Sequence, residues 1–243
     1  LYISMYHDGT TGLSENLMLK NDGQGFFTDV TAELGIGNGL QHTFQSSWLD
    51  FDGDGDLDLW VINDRTIFPN AMYMNHGDGT FSEVGADVGL NQEVFAMTST
   101  VGDPDNDGEY ELFCTNVEND PNVFMDQDDS GFYIENGASL GLDGMQYSWG
   151  GCWVDVDGDM DSDLMVATYR FPNTSPYKNY YYDNQNGGAT FTDATEENWP
   201  NNQTQLYSLG ACDFNQALAP DVVALGHGPY LHMLRPATGE DPE

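Results

Sequence analysis

The sequence predicts an all-β chain assembled from repeated four-stranded units, and three observations predict it. An acidic loop recurs at near-constant spacing, an aromatic turn motif keeps the same beat, and short runs of β-forming residues flank both. The clearest loop is "DFDGDGDLD", with Asp50, Asp52, Asp54, Asp56 and Asp58 at alternate positions, running straight into "LWVIN". Five like charges so close repel one another, so as a bare strand this stretch is a poor sequence. A cation belongs among them.

Calcium is the first candidate, because it takes about 6 to 8 oxygen ligands from carboxylates, carbonyls and water. Asp50, Asp52 and Asp54 fill positions one, three and five of such a loop, and Gly55 at six allows the reversal. Asp56 at seven offers its carbonyl, and Asp58 at nine is the next acid. An EF-hand needs a glutamate at position twelve, where this chain has Val61. The flanks lack helical periodicity as well, so the reading is a calcium loop between two strands.

Internal repetition separates this loop from chance. "DPDNDGEYE" begins at Asp103, "DVDGDMDSD" at Asp155 and a worn copy, "DFNQALAPD", at Asp213, spaced 53, 52 and 58 residues apart. Each runs into an apolar stretch: "LFCTNV", "LMVATY" and "VVALG". The turn motif recurs as "NDGQGFFTDVTAELGI", "NHGDGTFSEVGADVGL", "DQDDSGFYIENGASLGL" and "NQNGGATFTDATEENW". A third signal precedes each loop: "FQSSWL", "MTSTVG", "YSWGGCWV" and "YSLGAC".

These loops and the "N-x-G-D-G-x-F-x-D-V" turn resemble the FG-GAP/VCBS-type calcium-loop repeats over essentially the whole chain. The resemblance implies a β-propeller of four-stranded blades, with calcium loops between the first and second strands. It implies function only loosely, since propellers host scaffolds and enzymes alike.

Around Asp50 the expected strands are Gln45–Leu49, Leu57–Asn63, Ala71–Asn75 and Thr80–Val84, with "HGDG" as a hairpin turn. The units fall at about 1–44 (partial), 45–96, 97–146, 147–206 and 207–243 (partial), within a single domain. The opening unit lacks a first strand and loop, and the closing unit lacks a fourth strand. Two readings follow. Either the chain is part of a longer propeller, or neighbouring chains complete the edges by strand addition and build a fibre.

Composition narrows the setting. Five Lys and Arg face 41 acids, a formal charge of −36, which argues against nucleic acid and anionic membrane surfaces as partners. No apolar run suggests membrane insertion. Calcium at millimolar level is an extracellular condition, so the expected setting is outside the cell or on its surface. Other protein chains are the expected partners, with glycans as a further class. Asn173 ("NTS") and Asn202 ("NQT") form glycosylation sequons. Cys152 and Cys212 precede adjacent loops and are a candidate disulfide, but buried free thiols are the preferred reading for these and Cys114.

The four loops are unequal. The first is intact. The second (Asp103, Asp105, Asp107, Glu109 through its carbonyl, Glu111) keeps Gly108 and carries Glu at position nine. The third (Asp155, Asp157, Asp159, Asp161, Asp163) places Met160 where the turn wants glycine, a strained choice. The fourth keeps Asp213, Asn215 and Asp221 but has Ala217 at position five, which suits a structural relic. Two or three calcium ions per chain are expected, four if the worn copy binds.

Nothing in the sequence marks a catalytic residue. His7, His42, His76, His227 and His232 are scattered, and the loops account for most paired carboxylates. Trp48, Trp149, Trp153 and Trp199 could line a sugar surface, although core packing is the default for those near first strands. A structural or adhesive module is the favoured function. The alternative is a carbohydrate-binding or polysaccharide-active propeller of a secreted enzyme.

Overall fold

A computed structural model of the chain describes residues 1–6, 15–117, 121–142, 147–169, 178–199, 205–214, 220–226 and 231–234. Among these, the strands form five antiparallel sheets, each ordered as in the chain. The first contains β1 (Tyr2–Ile3), β2 (Leu17–Asn21) and β3 (Phe27–Asp29). The second contains β4 (Thr43–Leu49), β5 (Asp58–Asn63), β6 (Ala71–Asn75) and β7 (Phe81–Glu83). The third contains β8 (Ala96–Gly102), β9 (Glu111–Asn116), β10 (Val123–Gln127) and β11 (Tyr133–Glu135). The fourth contains β12 (Ser148–Val154), β13 (Asp163–Thr168), β14 (Tyr180–Gln185) and β15 (Thr190–Asp193). The fifth contains β16 (Leu206–Cys212), β17 (Asp221–Gly226) and β18 (Leu231–Leu234). Residues Leu1–Ser99 with Asp126–Ile134 form one compact unit, and Thr100–Met125 with Glu135–Glu243 form the other.

The second strand is the spine of each full sheet. β5, β9 and β13 are buried along all six residues, which explains why their sequences read as unbroken apolar runs instead of alternating. In the first unit Leu59 and Val61 pack with Tyr2, Ile36, Ala71 and Tyr73. In the second unit Phe113, Phe124, Leu164, Val166, Tyr180, Tyr182 and Phe191 make the larger cluster, with Trp153 against it. There β12 lies against β9 and β16. The "GG" of its sequence permits that approach: a Cβ on Gly150 would stand 3.0 Å from Ser208 Cα, and one on Gly151 would stand 3.2 Å from Phe113.

Three of the first strands, β4, β12 and β16, share an irregularity that the sequence did not signal. Pairing slips between Thr43 and Gln45, between Ser148 and Gly150, and between Leu206 and Ser208. The residues left over are Phe44, Trp149 and Tyr207, so each bulge turns one aromatic side chain out of the ladder. Trp149 then meets Tyr169 and Tyr207, each at 5.7 Å, instead of entering the core. Core packing does hold for Trp153 and for the fully buried Trp60, whereas Trp48 is 36% exposed.

The turn motif has a physical purpose at its acid. The carboxylate closing each fourth strand accepts the N–H two residues ahead: Asp29 from Thr31, Glu83 from Gly85, Glu135 from Gly137 and Asp193 from Thr195. In three repeats a single helical turn follows, α1 (Thr31–Leu34), α2 (Gly137–Leu140) and α3 (Thr195–Asn198). These acids anchor the start of the crossing to the next sheet.

Candidate metal centres

Each loop begins where a first strand ends and closes on the first residue of the second strand, so the ladder fixes both of its ends. Within the loop the acid at position one folds the backbone around itself. Asp50 Oδ2 accepts the N–H of Gly55 at 3.0 Å, Asp103 Oδ2 that of Gly108 at 3.2 Å and Asp155 Oδ2 that of Met160 at 3.2 Å. The acid at position five accepts from position seven: Asp54 from Asp56, Asp107 from Glu109 and Asp159 from Asp161.

Positions four and six both take the left-handed backbone. In the first loop these are Gly53 and Gly55 (φ 72° and 94°), and in the second Asn106 and Gly108 (φ 60° and 93°). In the third, Gly158 and Met160 take φ 83° and 76°. The strain expected at Met160 is therefore present, and its side chain is 83% exposed, held by the loop rather than by packing. The sequence reading missed the demand at position four, although Gly, Asn and Gly there were the signal.

This geometry gathers three trios: Asp50, Asp52 and Asp58; Asp103, Asp105 and Glu111; Asp155, Asp157 and Asp163. Within each trio one oxygen per residue lies within 4.8 Å of the others. Calcium–oxygen distances of about 2.3–2.6 Å allow ligands on one ion to stand up to roughly 5 Å apart, so the spacing fits. Positions one, three and nine make the trios. Positions five and seven (Asp54, Asp56, Asp107, Glu109, Asp159 and Asp161) stay in the loops beside them.

Position nine is more than a ligand candidate. Asp58, fully buried, accepts from Phe51 N–H at 3.1 Å and from Asn75 N–H at 2.7 Å. Asp163, also fully buried, accepts from Val156 N–H at 2.9 Å, Asn184 N–H at 2.9 Å and the Tyr181 hydroxyl at 3.1 Å. It thus ties the loop to the third strand of its own sheet. Asp221 keeps part of this role in the worn copy, accepting from Phe214 N–H at 3.2 Å. No acid trio gathers there among the described residues, and Asn215 lies outside them.

The donor set passes a further test of fit. Asp50 Oδ1, in the first trio, is buried without a hydrogen-bond partner, as expected of an oxygen reserved for a cation. Burial, followed by the neighbouring carboxylates, raises Asp58 and Asp157 above the usual range. Asp161 is lifted by burial and by Asp159 from 3.8 to about 6. Asp163 is lifted to about 6 by burial, against its three hydrogen bonds. Without a cation the folded chain therefore binds protons that the unfolded chain has released, and stability falls as pH rises through about 6. In chelator the melting temperature is expected to rise between pH 7 and pH 5. In calcium the slope should reverse, because protons compete with the ion. Parallel slopes in the two buffers would contradict the assignment.

Other candidates fall elsewhere. Cys114 and Cys152 are buried free thiols, both pushed up to about 12 by burial, while Cys212 is free and exposed, which corrects the expectation that all three are buried. His42 packs between Tyr6 and Phe68, and His76 pairs with Ser82 on the surface. His232 lies on β18. His7, His227, Asn173 and Asn202 lie outside the described residues.

A repeated device went unread in the sequence. Asn16, Asn70, Asn122 and Asn179, each just before a third strand or opening residue of its hairpin, are buried. Their Oδ1 atoms accept the N–H of Met5, Asn63, Asn116 and Thr168, closing the hairpin between strands two and three. An Asn heading each apolar third strand was the available signal.

The fold and the loops thus define an all-β protein of repeated sheets, each full sheet carrying an acid trio at its second strand. Residues 50–114 match the family described as FG-GAP-like repeat. The chain is similar to cartilage acidic protein 1 of Xenopus tropicalis, 22% identical over 223 residues, covering 85% of this chain and 33% of that protein. It is also similar to cartilage acidic protein 1 of Homo sapiens, 29% identical over 110 residues, covering 42% of this chain and 15% of that protein. The chain thus spans a third or less of the length of these relatives.

Proposed function

We infer that this chain is a calcium-stiffened β-propeller module of the extracellular space, with a structural or adhesive role and no catalytic one. The observation that carries the reading is the threefold recurrence of one acid trio at the head of a buried strand. Bound calcium supplies positive charge among carboxylates that otherwise repel. The chain's own residues do the rest: Asp58 and Asp163 join loop to third strand, and the left-handed turns hold positions one and three toward position nine. A charge of −36 suits a calcium-rich medium, and the relatives' name describes an acidic protein of cartilage. Among the described residues no helix is long and apolar enough to cross a membrane.

Other protein chains are the partners this reading favours. The first and fifth sheets hold three strands each among the described residues, and a fourth strand fits beside β1 or β18. The fibre expected from sequence requires that strand to come from another molecule. A carbohydrate-active propeller is the second reading, favoured by the aromatic trio Trp149, Tyr169 and Tyr207, whose tyrosine rings stack at 5.0 Å.

Small-angle scattering with electron microscopy, in millimolar calcium and in chelator, tests the proposal. Compact discs or ordered assemblies in calcium, expanding or dissociating in chelator, are expected. Identical profiles in both buffers, or release of reducing ends from polysaccharides, would overturn it.

A further inference from the structure

We propose that Asn184 is a positioning residue shared by two calcium loops, and that through it the second and third sites fill cooperatively. This coupling rests on the calcium reading given above and adds a regulation to it. Asn184 and both loops belong to the same compact unit.

The first observation is a single buried amide that bridges the two loops. Asn184 is 1% exposed, and its Oδ1 accepts the N–H of Gly188 at 2.7 Å. A backbone donor admits only the oxygen there, so the orientation of the amide is fixed. Its Nδ2 then gives its two protons to different loops. One goes to the carbonyl of Ser162 at 3.1 Å, position eight of the third loop. The other goes to the carbonyl of Pro104 at 2.7 Å, position two of the second loop. The backbone N–H of Asn184 meanwhile donates to Asp163 Oδ1 at 2.9 Å, and Asp163 belongs to the third trio. Pro104 stands between Asp103 and Asp105, two acids of the second trio. One residue thus grips an acid of one trio and the backbone that spaces two acids of the other.

The second observation is that the surroundings reinforce this bridge. The turn after Asn184 packs on the second loop so closely that a Cβ on Gly188 would stand 2.5 Å from Asp105 Cβ. Asn106 Nδ2 reaches across to the Met160 carbonyl at 3.5 Å. The other compact unit repeats the brace: Gln127, at the end of β10, donates Nε2 to the Phe51 carbonyl at 2.9 Å, again position two of a loop. An empty third loop crowds the like charges of Asp155, Asp157 and Asp163, and their repulsion loosens Ser162 and Asp163, on which Asn184 depends. Calcium there fixes both, and Asn184 then holds Asp103 and Asp105 at the spacing the next ion needs. Part of the ordering of the second loop is complete before its own ion arrives, which is positive cooperativity.

Magnetic resonance of the full chain carrying isotope-labelled glycine reads each site separately. Gly55, Gly108 and Gly158 donate their N–H to the leading acid of the first, second and third loops. The chain is titrated with calcium in about 1 M potassium chloride, where a Debye length of about 3 Å screens one loop's charge from the next. Asp157→Ala should raise the calcium midpoint of Gly108 at least about fivefold and leave that of Gly55 unchanged. Asn184→Ala, which alters no charge, should raise the Gly108 midpoint as well, and adding Asp157→Ala to it should raise it no further. Asp157 is exposed, so the first comparison stands even where Asn184→Ala fails to fold. A Gly108 midpoint indifferent to Asp157→Ala, or a shift that persists in full in the Asn184→Ala background, overturns the coupling and leaves calcium binding intact. Absence of any calcium-dependent shift at the three glycines overturns the calcium reading and the coupling together.

Discussion

Removal of calcium is expected to lower the melting temperature by roughly 20 °C, the largest effect foreseen for this chain. A site filled at a hundredfold excess over its Kd contributes about 2.7 kcal/mol. Three acid trios then contribute about 8 kcal/mol, a large share of the 5–15 kcal/mol that typically holds a folded protein. For a chain of this length each kcal/mol moves the melting point by about 2–4 °C. Magnesium should restore little of the loss, because it keeps its waters and demands a tighter octahedron than these loops offer. Calorimetry in calcium, magnesium and chelator at matched ionic strength makes the comparison, and a melting point indifferent to the three buffers would refute the effect.

Asp163→Ala is expected to be the most damaging single loop substitution, at about 3–5 kcal/mol, because unmet buried donors cost about 1–3 kcal/mol each. The change removes one acid of a trio and strands the N–H groups of Val156 and Asn184 and the hydroxyl of Tyr181. Asp157→Ala removes an acid from the same trio at an exposed position, where it accepts the N–H of Asp159. The two substitutions therefore separate the roles. Asp157→Ala should destabilise in calcium and be nearly neutral in chelator, whereas Asp163→Ala should destabilise in both. Equal behaviour of the pair across buffers would show that position nine does nothing beyond ligation.

Much of this was legible because the sequence repeats itself. Four loops at similar spacing located the turns between first and second strands, and the apolar runs after them announced buried spines. The first strand around Asp50 begins at Thr43, two residues before the expected start, because the bulge at Phe44 adds pairing that alternation does not show. What stayed hidden depended on relations between side chain and backbone. Asp29, Glu83, Glu135 and Asp193 look like the loop acids by composition, yet each is committed to an N–H two residues on. Asn70 reads as an ordinary turn residue until its partner at Asn63 is seen. Position nine could be recognised as acidic, but not as the residue that fastens the loop to strand three. The strain at Met160 is legible in the sequence, since a left-handed turn is a local demand that the first two loops meet with Gly55 and Gly108.

The central claim, that each of the three intact loops holds one calcium ion, is tested most directly by counting ions on the folded chain. Native mass spectrometry at saturating calcium should give three ions per chain, falling to two in Asp157→Ala. A chain carrying no calcium, or a count unchanged by that substitution, would contradict it.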